Sequence, residues 1–105
     1  MHQSSPEEIN LPAYVILDIT VHDPALFEEY KKLAPASIKA YGGRYLARGG
    51  AAEALEGHWT PNRVVILEFD NADTAKAWLN SPEYREARAM RLQAATSHTI
   101  VVEGV

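Results

Sequence analysis

Three observations predict an α+β domain in which helices cover one face of a four-stranded antiparallel sheet, in the order βαββαβ. Short runs rich in β-branched and aromatic residues recur at Ala13 to Val21, Arg44 to Arg48, Arg63 to Phe69 and in the closing HTIVVEGV. Cap-plus-proline pairs, Asp23-Pro24 and Ser81-Pro82, open helical patterns between the first and second runs and between the third and fourth. The second and third runs are joined by a Gly- and Ala-rich stretch, GGAAEALEGHWTPN, which reads as the long tip of an antiparallel hairpin. That order is the split βαβ arrangement.

Each element has a local reason. Met1 to Asn10 is polar, carries Pro6 and shows no periodicity, so residues 1–10 read as a flexible N-terminal arm and 11–105 as a single domain. AYVILDITV is the first strand. After it, Asp23 supplies a cap oxygen and Pro24 a preset φ, and Phe27, Tyr30, Ala34, Ile38 and Tyr41 give the first helix one buried stripe. Pro35 sits inside that pattern and predicts a kink or restart near Ala34, while Gly42 ends the helix. Asp70, Asn71 and Asp73 offer cap oxygens to a second helix containing Ala75, Trp78 and Leu79, which restarts at Ser81-Pro82 and runs to about Ala94.

Composition bounds the function. The chain has 105 residues, with 47% hydrophobic and 23% charged, which suits one globular core and excludes a disordered or fibrous class. Its net charge of −4 argues against nucleic acid as a partner. With no cysteine, disulfides, thiolate nucleophiles and iron–sulfur ligation are excluded together. The apolar runs are far shorter than the roughly 20 residues of a membrane helix. MHQSSPEEIN lacks the regions of a signal peptide, so the expected location is cytoplasmic and no membrane partner is expected.

Taken at period two, one face of the strands collects Val15, Leu17, Ile19, Val21, Val65, Leu67, Phe69, Ile100 and Val102, which should meet the helices. The other collects Tyr14, Ile16, Asp18, Arg44, Leu46, Arg48, Val64, Ile66, Glu68, Thr99, Val101 and Glu103. This second face is too apolar for water and too charged for a simple core. A second copy of the chain covering it, as a homodimer with a polar pocket inside, is the expectation.

The chain resembles the family DUF1330, a domain of unknown function within the ferredoxin-like dimeric α/β-barrel superfamily. The pieces that carry the resemblance are Tyr30, Tyr41-Gly42-Gly43-Arg44-Tyr45, Arg48-Gly49-Gly50, Leu55-Glu56-Gly57-His58-Trp59, Arg63 to Phe69, Ala77-Trp78, Ser81-Pro82-Glu83-Tyr84, Arg88, Arg91 and Val102-Glu103-Gly104. Their order and spacing, over nearly all of Ala13 to Gly104, make the match. The resemblance implies a homodimer with a pocket and carries no established activity; the superfamily includes cofactor-free monooxygenases, lactone isomerases and heme-binding enzymes.

The charged residues suggest a site. Arg44 and Arg48 are placed on one strand face about 13 Å apart, at roughly 3.3 Å per residue, aimed into the same cavity as Tyr14 and Asp18. Arginine suits carboxylate or phosphate, and an anion is expected to contact at least one of Arg44, Arg48 and Arg88. A bulge at Gly42-Gly43 would instead turn Tyr45 and Ala47 inward. Asp18 and Glu68 are the candidate proton-moving groups, since a carboxylate in a partly apolar pocket gains basicity unless it is paired. Tyr84, Arg88 and Arg91 fall at i, i+4 and i+7, and the resemblance draws this helical face toward the site. Tyr30, Trp59 and Glu103 complete the candidate ligand-binding set, although an aromatic at helical spacing or in a loop is more often packing. Glu56 and His58 lack a third partner for a triad. His2, His22, His58 and His98 are scattered, so neither a metal nor any other cofactor is expected. Two functions fit: a small-molecule-binding homodimer, in one version a cofactor-free enzyme on a small polar or anionic organic substrate, or a non-catalytic structural or stress-related dimer whose charges serve assembly.

Overall fold

β1 (Ala13–Val21) owes its extended form to alternating β-branched and aromatic residues and lies between two antiparallel neighbours. The computed structural model describes residues 11–105, and the N-terminal arm expected at Met1 to Asn10 lies outside the described residues. After β1 come α1 (Pro24–Ala40), β2 (Arg44–Arg48), β3 (Arg63–Phe69), α2 (Ala72–Leu79), α3 (Pro82–Ala94) and β4 (Ala95–Glu103). The strands stand in the order β2-β3-β1-β4, all neighbours antiparallel, which is the expected ferredoxin-like sheet.

The helix starts follow the cap chemistry. Asp23 Oδ1 accepts from the Leu26 amide at 3.1 Å, Asn71 Oδ1 from Thr74 at 2.8 Å, and Ser81 Oγ from Tyr84 at 3.1 Å. Ser81-Pro82 separates α2 from α3, as predicted. At Pro35 there is no restart, and α1 continues as one helix of 17 residues. Pro35 has no N–H to give the Lys31 carbonyl one turn back. Arg48 fills that vacancy from the sheet, donating from Nη2 to the Lys31 oxygen at 3.1 Å.

Val15, Leu17 and Ile19 from β1 and Val65, Leu67 and Phe69 from β3 form the sheet's half of the core. Phe27, Ala34 and Ile38 of α1, Trp78 of α2 and Tyr84 and Ala87 of α3 form the other half. Each large side chain buried there contributes about 1.5–3 kcal/mol. Two polar side chains inside this layer satisfy each other and the backbone: Trp78 Nε1 donates to Ser37 Oγ at 3.1 Å, and Ser37 Oγ donates to the Ala34 carbonyl at 2.7 Å.

Two strands depart from the expected parity. β4 starts at Ala95, not near His98, and the register Val15↔Val101 and Ile16↔Ile100 reverses its faces. Ile100 and Val102 therefore lie on the open face, where Ile100 is 58% exposed, while Thr99, Val101 and Glu103 share the side of the helices. The start of the strand sets this, because buried Ala95 pairs with Val21 directly after α3. In β2 the register slips between Tyr45 and Ala47, so that Arg44 opposes Glu68 but Arg48 opposes Val65. Arg44 and Arg48 thus point to opposite faces of the sheet and not to the one face expected of them, because a bulge occurs at Leu46, further along than Gly42-Gly43.

Gly43 enters β2 beneath the core. A Cβ there would lie 2.5 Å from Phe69 Cε1 and 2.9 Å from Ile38 Cγ2, whereas one at Gly50 would meet nothing within 4 Å. Gly43→Ala should therefore cost about 1–3 kcal/mol in urea unfolding, and Gly50→Ala should stay within about 0.5 kcal/mol of the parent.

Candidate functional site

The face of β2 and β3 that meets α1 encloses a cavity of about 20 Å³, lined by Leu17, Ile19, Ile38, Val65 and Leu67 at its base. Phe27, Tyr30 and Tyr45 form its aromatic wall, and Lys31, Arg48 and Arg63 surround its mouth. The β2 bulge turns Arg48 toward the helices, the side that Tyr45, opposite Leu67, already faces. The Arg48 guanidinium lies 4.6 Å from the centre of the Tyr45 ring while it holds the Lys31 carbonyl. Arg63, the first residue of β3, shares the helix side with Val65 and places its guanidinium 5.5 Å from the Phe27 ring. Lys31 is engaged by Glu28 at 2.9 Å. Neither Arg48 nor Arg63 forms a salt bridge among the described residues, and the buried Arg63 Nε has no hydrogen-bond partner.

Behind the aromatic wall lies a polar chain. The Tyr30 and Tyr84 hydroxyls are 2.9 Å apart, and Arg91 Nε donates to the Tyr84 oxygen at 3.2 Å. Burial pushes the Tyr30 phenol well above the usual range. Tyr45 is also raised, chiefly by burial, with Arg48 opposing. The phenols around this cavity are proton donors at neutral pH. Its walls hold no carboxylate or imidazole.

The open face carries different chemistry. Arg44 Nε donates to Glu68 Oε1 at 2.6 Å, closing a cross-strand ion pair. Asp18 accepts from the Trp59 indole at 2.8 Å and from the Asn62 amide at 2.9 Å, while Asn62 Nδ2 reaches Thr20 Oγ1 at 2.9 Å. These bonds fasten the hairpin tip to β1. Asp18, Glu68, Arg44 and Trp59 are accordingly occupied with one another and lie on the other side of the sheet from the cavity. On α3 the expected shared face divides: Tyr84 and Arg91 turn into the core, whereas Arg88 Nη1 reaches back to the Leu79 carbonyl at 3.4 Å and Asn80 Oδ1 at 3.3 Å. Arg88 thereby serves the carbonyl end of α2, which has no helical donors of its own. Glu103 stands exposed at the end of β4, opposite Ala13. Tyr30, Arg48, Tyr84 and Arg91 are thus brought together; Arg44, Trp59, Arg88 and Glu103 are not.

Arg63, Tyr45 and Phe27 were not among the expected site residues. A signal for Arg63 exists in the sequence, since it falls on the apolar parity of Arg63 to Phe69 and is its one charged member. Among the described residues, no group of three or more His, Asp or Glu side chains could hold a metal ion. No helix among them is long and apolar enough to cross a membrane.

The raised phenols set a pH dependence. Ionisation is easier in the unfolded chain than in the fold, so the stability they protect is complete below the ordinary phenol value of about 10 and is lost as pH rises above it. Urea unfolding followed from about pH 8 to about pH 11 should show this loss beginning near 10, and Tyr30→Phe should lessen it.

Solved structures share the fold. A protein of unknown function from Rhodopseudomonas palustris superposes with a TM-score of 0.74 at 18% identity, covering 94% of this chain and 86% of its own. SnoaB, a cofactor-independent oxygenase from Streptomyces nogalater, gives 0.59 at 15% identity over 90% and 94%. A dimeric protein of unknown function and ferredoxin-like fold from Bacteroides fragilis gives 0.56 at 17% over 91% and 98%. No curated protein matches the sequence. The family model described as a domain of unknown function (DUF1330) matches residues 12–105, and the chain belongs to that family.

Proposed function

We propose that this chain is a homodimeric small-molecule-binding protein whose ligand is a small organic anion held in the cavity between α1 and β2–β3. The observation that carries this reading is the pair of guanidiniums, Arg48 and Arg63, at the mouth of an aromatic hollow with no carboxylate bridging either of them. A buried guanidinium N–H without a partner, as at Arg63 Nε, is an uncommon expense in a native fold, and a ligand carboxylate would satisfy it. The closed cavity of about 20 Å³ has room for roughly one water molecule. A ligand's apolar body enters as Arg48 turns from the Lys31 carbonyl to the incoming carboxylate.

Binding is favoured over proton-abstracting catalysis because the lining lacks a base and the candidate carboxylates Asp18 and Glu68 are engaged elsewhere. Support for the dimer comes from the open face. Leu46, Ile100 and Val102 are exposed there beside half-buried Ile16, Val64 and Ile66, more apolar surface than an uncovered antiparallel sheet normally shows. The dimeric Bacteroides fragilis protein of the same fold agrees with a second copy as the cover.

Benzoate and pentanoate should raise the melting temperature by about ten degrees or more at a hundredfold excess over Kd, a gain of about 2.7 kcal/mol, while benzamide should do far less. Arg63→Gln and Arg48→Gln should each weaken carboxylate binding about tenfold or more, as expected for one charge-assisted hydrogen bond. Equal response to benzoate and benzamide, or none to any acid, would leave the structural-dimer reading in its place. For assembly, Ile66→Asp puts an unpaired charge at the centre of the covered face and should yield a monomer by light scattering at micromolar concentration. A parent chain that is itself monomeric there removes the dimer.

A further inference from the structure

The buried chain Arg91–Tyr84–Tyr30 has a direction, and its direction says something about the ligand. Arg91 is 3% exposed and forms no salt bridge among the described residues. Its Nε donates to Tyr84, which is fully buried and stacked on Trp78 with ring centroids 4.2 Å apart. Tyr84 in turn meets Tyr30, which is 8% exposed and forms part of the cavity wall. A guanidinium donates only, and each phenol brings one proton. Following the chain from Arg91, the Nε proton goes to the Tyr84 oxygen and the Tyr84 proton to the Tyr30 oxygen. The Tyr30 proton is then the one left over.

The opposite arrangement, with Tyr30 donating to Tyr84, would strand the Tyr84 proton. No other acceptor is bonded to the Tyr84 hydroxyl among the described residues, and a sealed, unmade donor bears its full desolvation cost. The surplus proton therefore rests on Tyr30, the one member of the chain whose side chain lines the cavity. Each bond along the chain polarises the next, and the guanidinium at its head strengthens Tyr30 as a donor. Burial also keeps that phenol protonated through the neutral range.

We infer that the Tyr30 hydroxyl is a built-in donor to the ligand, so that the bound molecule carries an acceptor oxygen, a carbonyl or an oxyanion, on its apolar body in addition to the carboxylate held by Arg48 and Arg63. The inference rests on the reading of the cavity as an anion site and deepens it from a simple carboxylate to an oxo acid or a related molecule. Tyr84 and Arg91 act through Tyr30 and are positioning residues.

The test compares pentanoate with 4-oxopentanoate, which differ in one carbonyl, by calorimetric titration of the full chain. The oxo acid should bind about three- to tenfold more tightly, the range of one net hydrogen bond. Tyr30→Phe should bring the ratio of the two affinities to about one. Tyr84→Phe should reduce the ratio without abolishing it, and it carries the test if Tyr30→Phe fails to fold by circular dichroism. A purely structural role for these tyrosines would move both affinities together and leave the ratio alone. Equal binding of the two acids by the parent, or a ratio untouched in a folded variant, overturns the inference and leaves the anion site standing. Binding of neither acid overturns both.

Discussion

Between Tyr45 and Ala47 the β2–β3 ladder slips by one residue, and the two arginines that bracket β2 are thereby sent to opposite sides of the sheet. Side chains in a strand alternate strictly, so Arg44 and Arg48 would share a face in any unbroken pairing. With Leu46 as the extra residue, Arg44 meets Glu68 on the open face, and Tyr45 and Arg48 meet α1. The guanidinium at the mouth and its bond from the sheet edge to α1 both depend on that slip. A bulge at a sheet edge that re-aims a side chain is a recurrent device beside functional sites.

The slip also sorts the charges. On the open face, Arg44 has Glu68, and Asp18 has two donors from the hairpin tip, so local pairing leaves that face able to accept cover at low electrostatic cost. On the helix side, Arg48, Arg63 and Arg91 are held by a carbonyl, an aromatic ring and a phenol, none of which cancels a positive charge. The chain as a whole is acidic, with a net charge of −4, yet Arg48 and Arg63 set two guanidiniums without salt bridges among the described residues beside α1. A surface of one sign around a hollow of the other favours a small anion that can lose its water inside over a large polyanion that must approach the whole surface.

The element order, helix caps and the α2–α3 break were legible in the sequence because each depends on residues that are neighbours in the chain: Asp23 with Pro24, Asn71 with Thr74, Ser81 with Pro82. The faces of β1 and β3 were legible for the same reason, since their alternation is clean. β4 was not, because Ile100, Val101 and Val102 are apolar on both parities and only pairing with β1 decides between them. RYLAR contains no glycine or proline to announce a bulge. The site was legible in part: Tyr30, Arg48, Tyr84 and Arg91 were singled out, yet the bonds that join them cross elements far apart in the chain. Arg63 stood in plain view on an apolar parity and was passed over as the first residue of a strand.

Proline inside a helix is usually counted as a defect, costing about 3 kcal/mol of helix propensity relative to alanine. In α1 the defect at Pro35 leaves a carbonyl facing the sheet, and a long cationic side chain from the edge strand rests there. An engineer seeking a more heat-resistant variant would replace that proline first, and the helix would close its own hydrogen bond at Lys31. Arg48 would then compete with the helix for the Lys31 carbonyl and keep only the Tyr45 ring to itself, so the more stable chain would hold that side chain less firmly. The imperfection in α1 is thus a place where durability and the anchoring of the sheet edge pull against each other.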